Sequence, residues 1–160
     1  MPDDSARTLL RHTVATLAYR SAKVLRDAPV DFATFNVATG TRTPGAILAH
    51  MGDLMDWALT SADGRPEWHD TPASLWGAEV ERFFAALARL DARLADPEAL
   101  GVSAERLFQG PIADALWHVG QIALLRRLAG GPVRGENYFV ADINVGLVTR
   151  DQPPSIREFD

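Results

Sequence analysis

The chain has 160 residues, 47% hydrophobic and 23% charged, with a formal net charge of −5, and we expect one globular domain over residues 1–160. Cysteine is absent, which excludes disulfides, thiolate metal ligands and a cysteine nucleophile. The basic residues are scattered and the amino-terminal residues are acidic rather than apolar, so we expect a cytoplasmic protein with no nucleic-acid and no membrane partner.

The first predicted helix covers about residues 5–25. Ser5 can cap its start, and Leu10, Val14 and Leu17 form an apolar stripe at helical spacing. A linker over residues 29–41 follows. Because this linker is long and contains several apolar residues, we expect it to cover the helices and to connect two that are not simple hairpin neighbours.

Two further helices begin with the same signal, a threonine followed by a proline. Thr43 and Pro44 predict a helix over residues 44–62, and Thr71 and Pro72 predict one over residues 72–95. The latter has apolar residues at alternating spacings of four and three, which is typical of a helix in a bundle. Those residues are Trp76, Val80, Phe83, Leu87, Leu90 and Leu94.

A fourth helix is predicted over residues 111–129. Pro111 follows Gly110 at its start, Gly130 and Gly131 end it, and a separate short turn is expected over residues 103–108. The tail over residues 133–160 is too apolar for simple disorder, so we expect it to pack on the helices. The pattern as a whole predicts an all-α four-helix bundle.

The fourth helix also carries the residues best suited to metal binding. Asp114 and His118 lie one turn apart on the same face, about 6 Å between Cβ atoms, and carboxylate and imidazole are natural donors for a divalent ion. Gln121 continues this face and can orient a ligand. His50 lies on the apolar stripe of the second helix, and a third donor there would leave the ion an open position for water or substrate.

Simpler roles are also open to these residues. A single interior histidine is more often a hydrogen-bonded core residue, and an aspartate four residues before a histidine often forms only a local ion pair. His12 and His69 are weaker site candidates, because His12 borders a polar helix face and His69 lies in a predicted loop. Asp53 is expected on exposed helix surface, or else as an acceptor for a metal ligand. The tryptophans at helical spacing are expected to pack in the core, namely Trp57, Trp76 and Trp117.

Two passages resemble the DinB/YfiT-like metalloenzyme superfamily. One is Ile47-Leu48-Ala49-His50-Met51. The other is Asp114-Ala115-Leu116-Trp117-His118-Val119-Gly120-Gln121-Ile122, followed by the Arg-rich helix end before Gly130. Members of this family show a histidine on the second helix, then a His-x-x-x-His pair that runs into an Arg-Gly-Gln-like stretch. The resemblance covers roughly residues 5–130.

The resemblance implies that His50, Asp114 and His118 bind one divalent ion, with Asp114 where the family usually has histidine. Zinc, nickel, iron or manganese would suit these donors, and the aspartate alternatively marks a degenerate, empty site. The implied activity is transfer of a low-molecular-weight thiol to an electrophilic small-molecule substrate. A metal-dependent hydrolase and a non-catalytic ligand-binding or dimeric interaction protein are the alternatives, and a homodimer is expected from the family.

Overall fold

The computed structural model describes residues 2–160, with side chains from Ser5 onward, and its architecture is all-α, as predicted. The helices are α1 (Pro2–Leu25), α2 (Pro44–Ala62), α3 (Trp76–Ala95), α4 (Ala104–Leu107) and α5 (Ala113–Leu128). A π-helical turn, Phe108–Ile112, joins α4 to α5, and 3-10 turns cover Phe32–Thr34 and Tyr138–Val140. Two short strands, β1 (Gly135–Glu136) and β2 (Glu158–Phe159), pair antiparallel.

The four long helices enclose one hydrophobic core. Helix α2 packs most extensively on α3 and also contacts α5, whereas α1 packs on α3 and α5. The chain between α1 and α2 therefore crosses between helices that are not close neighbours. Phe83, Leu87 and Leu90 on α3 have no accessible surface, and each buried side chain of this size contributes roughly 1.5–3 kcal/mol. Among the described residues, no helix is both long and apolar enough to cross a membrane.

The start of α2 agrees with its sequence signal. The Thr43 hydroxyl accepts a hydrogen bond from the Ala46 amide, and Pro44 occupies the first helical position. By contrast, α1 begins at Pro2, earlier than the predicted residue 5, so Ser5 lies inside the helix rather than at its cap. Proline is favoured at the first helical position, which makes Pro2 an equally good start signal.

The prediction that α3 begins at Pro72 was wrong, because α3 starts at Trp76. The amide and hydroxyl of Thr71 both donate to the Asp53 carboxylate on α2, at 2.8 and 2.7 Å, so this threonine anchors a loop instead of capping a helix. At the true start, the amide and hydroxyl of Ser74 donate to the carboxylate of Glu79. These two bonds join Ser74, the residue before the N-cap Leu75, to the first turn of the helix, and no described side chain caps the Leu75 position itself.

The predicted start of the last long helix at Pro111 was also wrong. Helical structure begins at Ala104, where the Ser103 hydroxyl caps α4, and continues through the π turn into α5. Pro111 lies inside that turn. Proline has no N–H to donate and its ring crowds the preceding turn, and a wider local helix accommodates both effects.

The carboxyl-terminal tail lies against the helices. Val148 is part of the hydrophobic core, and Glu136 is buried beside α1, where it accepts hydrogen bonds from Tyr19 and Lys23. The linker after α1 behaves similarly, since Phe32 is buried and packs edge-on against Trp76 with ring centroids 5.4 Å apart. Both segments cover apolar surface that the helices alone would expose.

Candidate metal centre

His50, Asp114 and His118 lie together where α2 meets α5. The Asp114 carboxylate lies between the two rings, with Oδ2 3.5 Å from Nε2 of His50 and Oδ1 3.5 Å from Nε2 of His118. One donor atom from each residue lies within 4.8 Å of the other two. The three side chains form a group that could hold a metal ion.

The spacing of these donors suits a transition metal. Donor atoms held at about 2.0–2.1 Å from a tetrahedral ion lie roughly 3.4 Å apart, which is close to both distances from Asp114. The two imidazole rings are nearly perpendicular, at 89°, with centroids 4.9 Å apart. The two 3.5 Å contacts use different oxygens of Asp114, and one donor atom from each residue, all within 4.8 Å of one another, would have to move closer together for an ion to bind all three.

Local structure explains how these residues reach one another. Asp114 and His118 are one turn apart on α5, and the π turn that contains Pro111 ends directly before Ala113, so the donor pair occupies the first turns of regular helix. His50 lies in the first half of α2, on the face that contacts α5. One helix therefore supplies two donors and its neighbour supplies the third.

The ring of His118 is held by Gln121. Nδ1 of His118 lies 2.9 Å from Oε1 of Gln121, so the ring nitrogen donates its proton to the side-chain carbonyl. Nε2 is then the nitrogen with a free lone pair, and it is also the nitrogen nearest Asp114. A hydrogen-bond acceptor for the ring nitrogen that does not bind the metal fixes the tautomer and the orientation of a metal-binding histidine.

The surroundings of His50 favour its neutral form. Burial lowers the pKa of this imidazole, the charges of His118 and Arg42 lower it further, and Asp114 opposes these effects only in part. Because a metal binds the unprotonated nitrogen, the lowered pKa leaves the ligand ready at neutral pH. The side chains of His50 and His118 are 18% and 10% exposed, and that of Asp114 is 46% exposed.

Trp68 is a neighbour of the site that sequence reasoning missed. Its ring packs edge-on against His50, with centroids 5.5 Å apart, and against Trp57 at 5.9 Å. It belongs to a loop with no regular structure, between α2 and α3. The only available signal was a tryptophan among polar loop residues, which gives no indication of the helix it contacts.

Two open clefts flank the three donors. One, about 420 Å³, borders Asp114 and is walled by Trp57 and Trp117. The other, about 440 Å³, borders His118 and Gln121. The group is therefore reached from two sides.

The remaining candidates lie elsewhere. His12 is exposed on α1, and His69 is exposed and 3.3 Å from Glu67. Asp53 was predicted on exposed surface or beside a ligand, and both interpretations were wrong. It is only 2% exposed and accepts a hydrogen bond from Arg82 at 3.0 Å. The sequence of α2 alone does not show that Asp53 faces Arg82 on α3.

The tryptophan predictions were partly right. Trp57 and Trp76 pack against the core, each half-buried. Trp117 was predicted to pack in the core, but it is 72% exposed and lines the mouth of the cleft beside Asp114. The buried face of α5 contains Ala115, His118, Val119 and Ile122, and Trp117 lies on the opposite, exposed face.

Searches of family models, curated proteins and solved structures found no match for this chain. The geometry of the three donors is therefore the structural observation that bears on function.

Proposed function

We propose that this protein is a metal-dependent enzyme of the DinB/YfiT-like class that transfers a low-molecular-weight thiol to an electrophilic small molecule. The observation that carries the proposal is the convergence of His50, Asp114 and His118 from two helices, with donor atoms within 4.8 Å of one another. The two passages that resemble the family contain all three residues, and the long crossover between α1 and α2 supports a bundle of the family type.

The residues present fit one divalent ion. Two imidazoles and one carboxylate suit zinc, nickel, iron or manganese, and three protein ligands leave at least one position for an exchangeable group. When bound, such an ion supplies a Lewis acid that favours deprotonation of a thiol or water at neutral pH. His50 would contribute a neutral nitrogen, Gln121 would orient His118, and Asp114 would add the negative charge that partly balances the ion.

The two clefts favour transfer over hydrolysis. A thiol transfer needs two organic reactants beside the same centre, and one cleft borders His118 while the other borders Asp114. The thiol would lose its proton to solvent, its sulfur would form a bond to the electrophilic carbon, and the leaving group would depart with its electron pair. Hydrolysis needs only one organic reactant and would leave the second cleft without a role.

Metal content tests the first part of the proposal. The full chain is incubated with excess zinc or nickel, desalted, and analysed for metal beside His118→Ala and the matched control His69→Ala. We expect about one ion per chain in wild type and in the control, and at least a tenfold loss of affinity in His118→Ala. Zinc should also raise the melting temperature of wild type and of the control only. Equal metal content in all three proteins would remove the proposed site.

Turnover tests the second part. Metal-loaded protein is offered glutathione, bacillithiol or mycothiol together with an activated aryl halide, and separately a nitrophenyl ester without thiol. Thiol-dependent conjugation that disappears in His118→Ala supports the proposal. Ester turnover that needs no thiol supports a hydrolase instead. Tight metal binding with neither reaction supports a non-catalytic binding protein.

A further inference from the structure

The cleft beside His118 combines apolar walls with one permanent charge. It is about 440 Å³, and Val37, Ile47, Leu124 and Leu125 form its apolar lining. Arg42 is the single lining residue that is charged at all ordinary pH values. A cleft of this size falls in the range of small-ligand sites, in which a few polar groups among apolar walls set the orientation of the ligand.

Among the described residues, no acidic side chain pairs with the positive charge of Arg42. In the part of the chain whose side chains are described, its guanidinium forms no ion pair, whereas that of Arg82 pairs with Glu79 and Asp53 at 2.9 and 3.0 Å. Its charge nevertheless lies close enough to His50 to act on that ring. The cleft therefore presents an unpaired cation next to the candidate metal ligands.

We propose that Arg42 binds the carboxylate of a small, partly apolar reactant, which occupies this cleft with its apolar stem against Val37 and Leu124 and its other end towards His118. This inference rests on the proposed function and names the substrate class of one of its two reactants. A guanidinium binds a carboxylate through two parallel hydrogen bonds, and the apolar lining removes water from part of that pair. The pairing discriminates against a neutral compound of the same shape.

The opposite cleft lacks such a cation. Its lining includes Trp57 and Trp117 together with the carboxylate of Asp114, which repels an anion. The two clefts thus differ in charge, and a negatively charged reactant is directed to the side of Arg42. An uncharged or aromatic reactant fits between the tryptophans.

Binding of two simple probes tests the proposal without a metal. Hexanoate and its neutral analogue hexanamide are titrated into the purified full chain, and affinities are measured by chemical-shift changes of backbone amides. We expect wild type to bind hexanoate about fivefold to tenfold more tightly, with shifts around Arg42 and Leu124. Arg42→Gln should lose this preference. Arg157→Gln, an equal loss of charge at an exposed residue that lines neither cleft, should keep it.

Several results would overturn the inference. These are equal affinity for the two probes in wild type, a preference that survives Arg42→Gln, or an equal loss of preference in both variants, which would indicate only overall charge. Because Arg42 is exposed, we expect both variants to fold as wild type does, which far-ultraviolet circular dichroism checks.

A second titration separates this inference from the proposed function. Zinc-loaded protein is titrated with 6-mercaptohexanoate and with hexanoate. Tighter binding of the mercapto acid only when zinc is present supports both proposals. If zinc does not bind, the metal-dependent function fails and so does the assignment of a reactant to this cleft, even where hexanoate binding persists.

Discussion

The substitution Glu136→Gln should weaken the attachment of the tail to α1. The Glu136 carboxylate is buried and accepts hydrogen bonds from Tyr19 at 2.6 Å, from Lys23 at 2.8 Å and from Ser155 at 3.1 Å. Glutamine keeps the shape of this side chain but removes its charge. Lys23, whose side chain is 6% exposed, then keeps only Glu158 as an anionic partner, at 2.9 Å.

The expected cost is about 3 kcal/mol. Removing one partner of a buried ion pair typically costs about 3–5 kcal/mol, because the other charge remains buried without compensation. Glu158 still partners Lys23, which places this case at the lower end. For a chain of this length, the loss corresponds to a decrease in melting temperature of about 6–12 °C.

The cluster also sets a pH range of full stability. Burial raises the pKa of Glu136, but the hydrogen bonds from Lys23 and Tyr19 outweigh burial and the net shift is downward. Its contribution is therefore present above the unfolded pKa of 4.5 and is lost as pH falls through the lower folded value. Burial and the bond to Glu136 raise the pKa of Tyr19 to about 12 from 10.0, so its contribution is lost as pH rises through about 12.

Urea unfolding followed by circular dichroism, at intervals from about pH 3 to about pH 12, measures the cost of the substitution and its dependence on pH. The matched control is Glu81→Gln, the same change at an exposed pair with Arg150, where we expect less than about 1 kcal/mol. The acid loss of stability should be smaller in Glu136→Gln than in wild type. Equal free energies of unfolding for Glu136→Gln and Glu81→Gln at pH 7 would refute the role assigned to the buried carboxylate.

Substitutions at three further residues, Gly52, Arg126 and Gln121, have expected outcomes. A Cβ at Gly52 would lie 2.7 Å from Cζ of Arg82 and would displace its guanidinium. Because that guanidinium donates to Glu79, Asp53 and the Ala49 carbonyl, Gly52→Ala should cost about 2 kcal/mol in thermal unfolding. The control Gly120→Ala, with no atom within 4 Å, should stabilise by up to about 1 kcal/mol. Arg126 donates hydrogen bonds to three backbone carbonyls at the end of α1. Arg126→Gln should therefore lower the free energy of unfolding by about 2–3 kcal/mol and speed amide hydrogen exchange at the end of α1. Unchanged exchange there would contradict this role of Arg126. Gln121→Leu should weaken metal binding about 10–100-fold in calorimetric titration, because His118 loses the acceptor that orients its ring. Gln121→Glu keeps an acceptor oxygen and should bind metal as wild type does. Equal metal affinity of the two variants would exclude an orienting role for Gln121.

Local signals predicted the helices but not all of their first residues. Thr43 and Thr71 precede prolines in the same way, yet only the first caps a helix. The second is held by Asp53, which lies 18 residues earlier in the chain. A cap depends on a few neighbouring residues and can be read from them, whereas competition from a distant carboxylate depends on how α2 and α3 pack.

The same distinction applies to the candidate site. Asp114 and His118 share a helix, so their common face follows from helical geometry alone. The approach of His50 follows from the contact between α2 and α5, which the sequence could only suggest through resemblance. Arg42 and Trp68 belong to connecting segments, where no periodicity tells which helix a side chain will meet.

Under the proposed function, an aspartate among the three donors would have an electrostatic consequence. With two neutral imidazoles and one carboxylate, a divalent ion keeps a net charge of about +1 rather than +2. A weaker positive field lowers the pKa of a bound thiol or water less, and the resulting anion stays more basic and more nucleophilic. Arg42 lines the cleft that does not border Asp114 and can return part of the lost positive charge to the reactant that binds beside it. In the proposed enzyme, charge would thereby be divided between the metal ligands and the cleft, so that an anionic reactant could be bound by Arg42 while the metal-bound anion remains nucleophilic.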